Sequence, residues 1–184
     1  IQDSLVGSEM CIRDSFTTST LQQEASNKLG FGASRTMRIA QKLYEGINIG
    51  SETTGLITYM RTDGVQLSTQ AIDELRSEIT NLHGKEYIPQ LPRIYKSKAA
   101  NAQEAHEAIR PTAISRHPES MSSYLDAEQL KLYELIWRRT ISSQMQSAEL
   151  DETAADISNE NKSIVFRANG SQVHFPGFFI YRDR

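Results

Sequence analysis

The chain has 184 residues, a length that suits one sizeable domain or one domain with part of a second. Its single cysteine, Cys11, excludes an internal disulfide and a cysteine-built zinc site, and it is compatible with a reducing compartment. No apolar run reaches the roughly 20 residues that a membrane-spanning helix needs. The net charge of -3 neither supports nor excludes a nucleic-acid partner, because an acidic chain can still carry a local basic stripe.

The first fifteen residues show neither a sustained helical period nor a clean strand alternation. They also lack the charged start, long apolar middle and small-residue cleavage site of a signal peptide. We interpret residues 1–15 as a non-native or disordered leader that comes from an artificial extension or a mistranslated sequence end. Native structure is then expected to begin at Phe16.

Helical periodicity follows the leader. Two helices are predicted on either side of a glycine turn, the first capped by Ser19 or Thr20 and the second by Ser34. Such a helix-turn-helix-like hairpin can bind DNA, although it is more often simple helical packing. The predicted stripe of the second helix consists of Met37, Ala40, Gln41 and Tyr44, with Ile39 and Leu43 beside it.

The rest of the chain changes from helix to strand. Ser68 caps a predicted helix, and Asp126 caps a longer one in which Gln129 completes a capping box. Beyond Ala148 the hydrophobic period changes from that of a helix to that of a strand, and extended pieces are predicted as far as Tyr181. The fold class is therefore predicted to be α+β. These few strands lack a sizeable sheet to close on, which indicates a partner segment outside this sequence.

The stretch GLITYMRTD at residues 55–63 carries the first candidate for chemistry. Its apolar run predicts a strand over Leu56–Met60, and on an extended backbone Tyr59 and Arg61 point to the same face. A phenol is a poor nucleophile until a nearby cation favours the phenolate or neutralises the electrophile. A guanidinium can hold two phosphate oxygens while the phenol attacks the phosphorus. The simpler interpretation of such a pair is packing and solubility.

The stretch NAQEAHEAIRPT at residues 101–112 is the second candidate. His106 and Arg110 are four residues apart, so a helix that ends before Pro111 would place them on one face. Such a pair can hold a phosphate, and an imidazole can pass a proton near neutral pH. A lone histidine is more often structural. Glu104 and Glu107 share a face of the predicted helix, but two carboxylates without a third oxygen ligand nearby are weak evidence for a metal site.

Together, the two stretches resemble the active-tyrosine region of type IA DNA topoisomerases, and most closely the branch of bacterial topoisomerase I. The residues FTTSTLQQEA at 16–25 are also similar to the segment that leads into this region in the family. Topoisomerase III typically has a proline after the tyrosine, so Met60 favours the topoisomerase I branch. The resemblance extends from about Phe16 to the end of the chain.

The resemblance implies an ATP-independent enzyme that nicks one strand of negatively supercoiled DNA, passes the intact strand through the gap and reseals the nick. It implies that Tyr59 is the nucleophile and forms a 5′-phosphotyrosine. It further implies that Arg61 clamps the phosphate and that His106 aids phosphate positioning or proton transfer. Arg110 and Asp63 lie in the matched motifs and are expected to support DNA binding, as is Arg61.

The family has parts that this sequence does not match. Its amino-terminal Toprim domain binds magnesium, and many members have zinc-binding cysteines near the carboxy terminus. We therefore expect an interior fragment, with a helical active-tyrosine domain over residues 16–146 and part of a β-rich gate domain over 147–184. The Toprim and remaining gate domains would belong to the same polypeptide. The fragment alone is not expected to relax DNA. The expected location is cytoplasmic, at the nucleoid, with no membrane partner.

Two other classes of protein remain open. A non-catalytic DNA-binding module would use the hairpin of residues 19–46 as its reader, although the second helix offers only three basic residues, Arg35, Arg38 and Lys42. A purely structural or interaction domain would make both motifs chance matches. Convergence of Tyr59, Arg61 and His106 on one open surface would favour the enzyme. Burial of Tyr59 would favour the structural domain.

Overall fold

The computed structural model describes residues 14–95, 107–159 and 165–181 in full and residues 2–10 as backbone. Helices and strands both occur, which confirms the α+β class. The chain divides into two compact units, Arg13–Met145 and a second unit made of Ile1–Ile12 with Gln146–Arg184. The sequence interpretation set its boundary between residues 146 and 147. The domain identities assigned to the two parts remain predictions.

Groups of described helices and strands alternate along the chain. They are β1 (Gln2–Met10), α1 (Thr18–Leu29), α2 (Ala33–Glu45), β2 (Ile47–Asn48), β3 (Thr53–Thr54), α3 (Thr69–His83), a 3-10 helix (Lys85–Tyr87), α4 (Pro118–Met121), α5 (Ala127–Ser143), β4 (Ala148–Ser158), β5 (Val165–Phe175) and a second 3-10 helix (Gly177–Tyr181). Within this described part, no helix is both long and apolar enough to cross a membrane.

The first two helices start at different residues from those predicted. The N-cap of α1 is Thr17, whose side chain forms a capping box with Thr20, so the caps expected at Ser19 or Thr20 are wrong. Gly30 ends α1 in the left-handed conformation, with a φ of 67°. The N-cap of α2 is Gly32, and Ser34 lies inside the helix. Consecutive hydroxyl residues offer several caps, and tertiary contacts choose among them.

The buried stripe of α2 is also shifted from the prediction. It consists of Thr36, Ile39, Ala40 and Leu43. Tyr44, which was expected in the stripe, is 40% exposed. Helices α3 and α5 begin as predicted. Ser68 caps α3, and Asp126 forms a capping box with Gln129 at the start of α5. The core of the unit Arg13–Met145 lies among its helices. Its largest fully buried side chains include Phe16, Leu21, Leu43, Leu56, Ile57, Met60, Leu75, Ile79, Ile109, Leu132, Tyr133 and Ile136.

Two segments near the candidate chemistry differ from their predicted secondary structure. Leu56–Met60 is not a regular strand, because only Ile57 forms a bridge there, with Pro111. Residues 107–112 are not helical, and Ile109 forms an antiparallel bridge with Phe16. Proline lacks an N–H group and disfavours the helical region for the residue before it. The backbone around Ile109 therefore bonds to other segments instead of to itself.

The second unit contains a three-stranded antiparallel sheet in the order β1-β4-β5. Its first strand, Gln2–Met10, pairs with β4, although the sequence there shows no clean strand alternation. The foreign origin proposed for residues 1–15 stays a prediction. The prediction of extended chain over Val173–Tyr181 is wrong for the second half of that range, because Gly177–Tyr181 forms a 3-10 helix. Pro176 has no N–H to donate to a strand ladder, and β5 ends just before it.

Candidate active site

The segment around Tyr59 presents alternate side chains to solvent. Tyr59, Arg61 and Asp63 are exposed, whereas Met60 and Thr62 between them are buried. This is the alternation of an extended chain, and it occurs without a regular strand ladder. Tyr59 is 46% exposed, so a ligand in solution has access to this residue. Tyr59 therefore lacks the burial that would favour a purely structural domain.

The C-terminal end of α2 supports the Tyr59 ring. The rings of Tyr44 and Tyr59 meet edge to face, with their centroids 5.4 Å apart and their planes at 65°. The Leu56 amide donates to the Leu43 carbonyl at 2.7 Å, which fixes the chain to the same helix end. A Cβ atom at Gly55 would lie 2.5 Å from the Tyr44 carbonyl oxygen, so this close approach requires glycine.

Thr58 joins the tyrosine segment to the segment that contains Arg110. Its amide donates to the Arg110 carbonyl at 2.9 Å. Its hydroxyl donates to the Ala108 carbonyl at 2.8 Å and accepts from the Arg110 amide at 3.0 Å. The backbone of the second motif is therefore bonded to the residue directly before Tyr59. The two motifs, 50 or so residues apart in sequence, are neighbours in the fold.

The side chains of Arg61 and Asp63 point away from the core. Neither has a hydrogen-bond or ion-pair partner among the residues that the structure describes. The guanidinium of Arg61 is thus available to an anionic ligand from solvent. Because a guanidinium presents paired N–H groups in one plane, it matches the oxygens of a phosphate.

Arg110 is engaged with the protein. Its Nε and Nη2 atoms donate to the two carboxylate oxygens of Glu107 at 2.7 and 3.1 Å, and its Nη1 donates to the Pro111 carbonyl. The Glu107 carboxylate also accepts from the Ser68 amide at 3.0 Å, at the start of α3. Burial raises the pKa of the Glu107 carboxyl, but hydrogen bonds from Arg110 and Ser68 outweigh burial and lower the pKa overall.

Replacing Glu107 with glutamine is expected to lower the free energy of unfolding of the unit Arg13–Met145, by an amount that depends on pH. The charge-assisted hydrogen bonds contribute about 2 kcal/mol when Glu107 is ionised. Because the pKa is lower in the folded state, this stability is complete above the unfolded-state pKa and is lost as the pH falls through the folded-state pKa. Thermal unfolding from pH 7 down to pH 3 should show the difference between wild type and Glu107→Gln shrinking. A difference that stays constant across this range would contradict the assignment.

His106, the third expected catalytic residue, lies outside the described residues, as does Glu104. His106 and Arg110 were expected four residues apart on one helix. This prediction is wrong for Arg110, because Arg110 lies in a non-helical segment between the bridges of Ile109 and Pro111. Within residues 14–95, 107–159 and 165–181, no group of three or more His, Cys, Asp and Glu side chains is placed to hold a metal ion. Glu107, which together with Glu104 was weighed as a metal ligand, forms an ion pair with Arg110.

The basic face of α2 is partly neutralised by α5. Arg35 forms an ion pair with Glu128, both of them close to half exposed. The hydrogen bond from Arg35, together with the charges of Arg38 and Lys42, lowers the pKa of the Glu128 carboxyl. An acidic side chain therefore occupies the surface that a DNA-reading helix would need to present as basic.

The sequence interpretation missed the residues that hold this site together. Tyr44 was placed in the helix core, and Glu107 was considered only as a metal ligand. Neither Thr18 nor Thr58 was considered, although each bonds to the segment of Tyr59 and Arg61. The sequence signals were that Thr58 lies beside the tyrosine and that Thr18 lies in the family-like stretch 16–25; contacts across more than forty residues leave no periodic pattern.

Comparisons with known proteins show the family to which this chain belongs. Residues 9–184 match the family model described as DNA topoisomerase, so the chain belongs to the DNA topoisomerase family. It is 57% identical over 169 residues to DNA topoisomerase 1 of Rickettsia conorii, and the match covers 91% of this chain and 22% of that protein.

Two further comparisons agree with this membership. DNA topoisomerase 1 of Helicobacter pylori is 46% identical over 164 residues, which cover 89% of this chain and 22% of the relative. The solved structure of full-length topoisomerase I from Thermotoga maritima is similar to this fold with a TM-score of 0.86 at 37% identity, over 100% of this chain and 29% of that one. The chain spans about a fifth of the length of the curated relatives that it matches. The family resemblance seen in the sequence is thereby confirmed.

Proposed function

We propose that this chain carries the DNA-cleaving tyrosine of a type IA DNA topoisomerase, and that Tyr59 is this tyrosine. The observation that carries the proposal is the exposed phenol of Tyr59 two residues from the exposed guanidinium of Arg61, which has no partner among the described residues. Membership of the DNA topoisomerase family supports the substrate that we propose for these two side chains, a phosphodiester of single-stranded DNA.

In the proposed cleavage step, the Tyr59 hydroxyl oxygen forms a bond to the scissile phosphorus and loses its proton. The bond between phosphorus and the 3′ oxygen breaks, and that oxygen gains a proton to become a 3′ hydroxyl. The DNA 5′ end is left as a phosphotyrosine, which keeps the energy of the broken bond. Attack by the 3′ hydroxyl reverses the step after strand passage, so relaxation of negative supercoils needs no ATP.

The other residues act on the phosphate in this proposal. Arg61 donates hydrogen bonds to the phosphate oxygens as negative charge increases on them in the transition state. His106 aids phosphate positioning or proton transfer. Asp63, exposed two residues beyond Arg61, and Arg110 support the DNA-binding surface. Because the Arg110 guanidinium is held by Glu107, the contribution that we propose for Arg110 is made through its backbone.

Magnesium does not fit the residues described here. The described part of the chain has no cluster of three or more metal-binding side chains, so no step of the proposed reaction runs through a metal bound to it. We propose that Mg²⁺ binds to a Toprim domain of the same polypeptide, and that the remaining gate domains also lie outside this chain. The proposed location of the whole enzyme is cytoplasmic, at the nucleoid, without a membrane partner.

A segment exchange tests this proposal. Residues 16–184 replace the matched segment in the Rickettsia conorii relative, and the chimera is mixed with negatively supercoiled plasmid and magnesium in the absence of ATP. The chimera is expected to relax the plasmid, whereas the isolated 184-residue chain is expected to leave it supercoiled. An inactive chimera, or an active isolated chain, would contradict the proposal.

A further inference from the structure

We infer that Thr18 is a positioning residue for Arg61, and that its hydroxyl holds the backbone on both sides of the phosphate-binding guanidinium. This inference rests on the proposed function, because it gives Thr18 a role only if Arg61 acts on the scissile phosphate. Thr18 is the first residue of α1 and lies 42 to 44 residues from the atoms that it contacts.

The hydroxyl of Thr18 bonds to both neighbours of Arg61. It donates to the Met60 carbonyl at 2.8 Å, with a longer approach of 3.1 Å to the Thr62 carbonyl. It accepts from the Thr62 amide at 2.8 Å. The Thr18 amide adds a bond of 2.9 Å to the Thr62 carbonyl. One side chain therefore fixes the peptide groups that precede and follow Arg61.

The element that supplies Thr18 is firmly held. The capping box of Thr17 and Thr20 fixes the start of α1, and the residues one and two turns further along, Leu21 and Ala25, are fully buried. Met60 and Thr62, on the other side of the contact, are 1% and 7% exposed. A fixed helix start is thus bonded to a fixed backbone, and only the Arg61 side chain between them extends into solvent.

This arrangement fixes the backbone of a residue whose side chain has no partner in the part of the chain that the structure describes. A free arginine side chain loses much rotamer entropy when it binds a phosphate, and a displaced backbone would move its guanidinium away from the developing charge. Misplacement by about 1 Å can lower a rate by roughly 10²-fold. The hydroxyl of Thr18 prevents such a displacement without touching the DNA.

The test compares Thr18→Val, which keeps the shape but loses the hydroxyl, with Thr18→Ser, which keeps the hydroxyl. In the chimera we expect Thr18→Val to slow formation of the covalent DNA complex by about 10- to 100-fold, with DNA binding within about twofold of wild type. Thr18→Ser should remain near the wild-type rate. Thr80→Val is the matched control, because the Thr80 hydroxyl donates only to the Arg76 carbonyl within α3.

A double-mutant cycle separates positioning from general stability. In an Arg61→Ala background the effect of Thr18→Val on the cleavage rate is expected to disappear, because Thr18 acts through Arg61. An unchanged effect in that background, an equal loss in Thr80→Val, or a Thr18→Val protein that does not fold would overturn the inference. A different result rejects the proposed function itself: a Tyr59→Phe protein that keeps its activity. If Tyr59→Phe is inactive while Thr18→Val equals wild type, only the inference fails.

Discussion

Replacing Tyr59 with phenylalanine in the chimera is expected to abolish both the covalent DNA complex and plasmid relaxation. The change removes one oxygen and keeps the ring that packs against Tyr44, so folding should be preserved. Loss of an enzyme's nucleophile lowers the rate by on the order of 10⁶-fold, because no neighbouring group forms the same covalent bond. The measurement is a plasmid-relaxation time course, together with gel detection of protein attached to labelled DNA.

Tyr44→Phe is the control for this experiment. Tyr44 is the aromatic partner of Tyr59 and is similarly exposed, at 40% against 46%, but it has no proposed chemical role. Because phenylalanine preserves the edge-to-face contact, the Tyr44→Phe protein should relax DNA at close to the wild-type rate. Retained relaxation by Tyr59→Phe would exclude Tyr59 as the nucleophile. An equal loss in both variants would mean that removing either phenol hydroxyl lowers the rate, which would contradict a nucleophilic role specific to Tyr59.

Replacing Arg61 with alanine is expected to lower the cleavage rate by about 10²- to 10³-fold, the usual effect of removing one group that stabilises transition-state charge. Arg61→Lys should recover part of the rate, because an ammonium keeps the charge but loses the paired N–H geometry. The quantity to measure is the rate of covalent-complex formation at saturating DNA, since the effect belongs to the chemical step.

Arg35→Ala provides the comparison for loss of an arginine elsewhere on the surface. Arg35 is exposed on α2 and pairs with Glu128, so its removal should change DNA affinity and salt dependence little and the cleavage step not at all. A loss in Arg35→Ala as large as that in Arg61→Ala would favour a DNA-reading role for α2. An Arg61→Ala protein with the wild-type cleavage rate would contradict the phosphate-clamp role.

The sequence predicted best those helices whose start signals are local. Ser68 marks one clear start for α3, and the capping box of Asp126 with Gln129 marks one for α5; both helices begin there. At residues 17–20 the sequence offers four successive hydroxyl residues, and local rules do not distinguish among them. The structure uses Thr17 as the cap and Thr18 for the bonds to Thr62, a choice that depends on a segment more than forty residues away.

The candidate site was predicted in its residues but not in its architecture. The exposed alternation of Tyr59, Arg61 and Asp63 follows from an extended backbone, which the pattern indicated. The absence of a ladder there, and the non-helical path of residues 107–112, depend on tertiary hydrogen bonds such as that from the Thr58 amide to the Arg110 carbonyl. Alanine and glutamate around residue 105 favour a helix locally, whereas Pro111 and these long-range bonds favour extended chain.

The most direct test of the central claim is to identify the residue that becomes attached to DNA. The chimera is allowed to cleave a single-stranded oligonucleotide, the reaction is stopped with denaturant, and the protein is digested with protease and nuclease before mass spectrometry. We expect the nucleotide remnant on the peptide that contains residues 55–61, linked through phosphate to the Tyr59 hydroxyl. A remnant on any other residue, or a cleaved oligonucleotide with no attached peptide, would contradict the account.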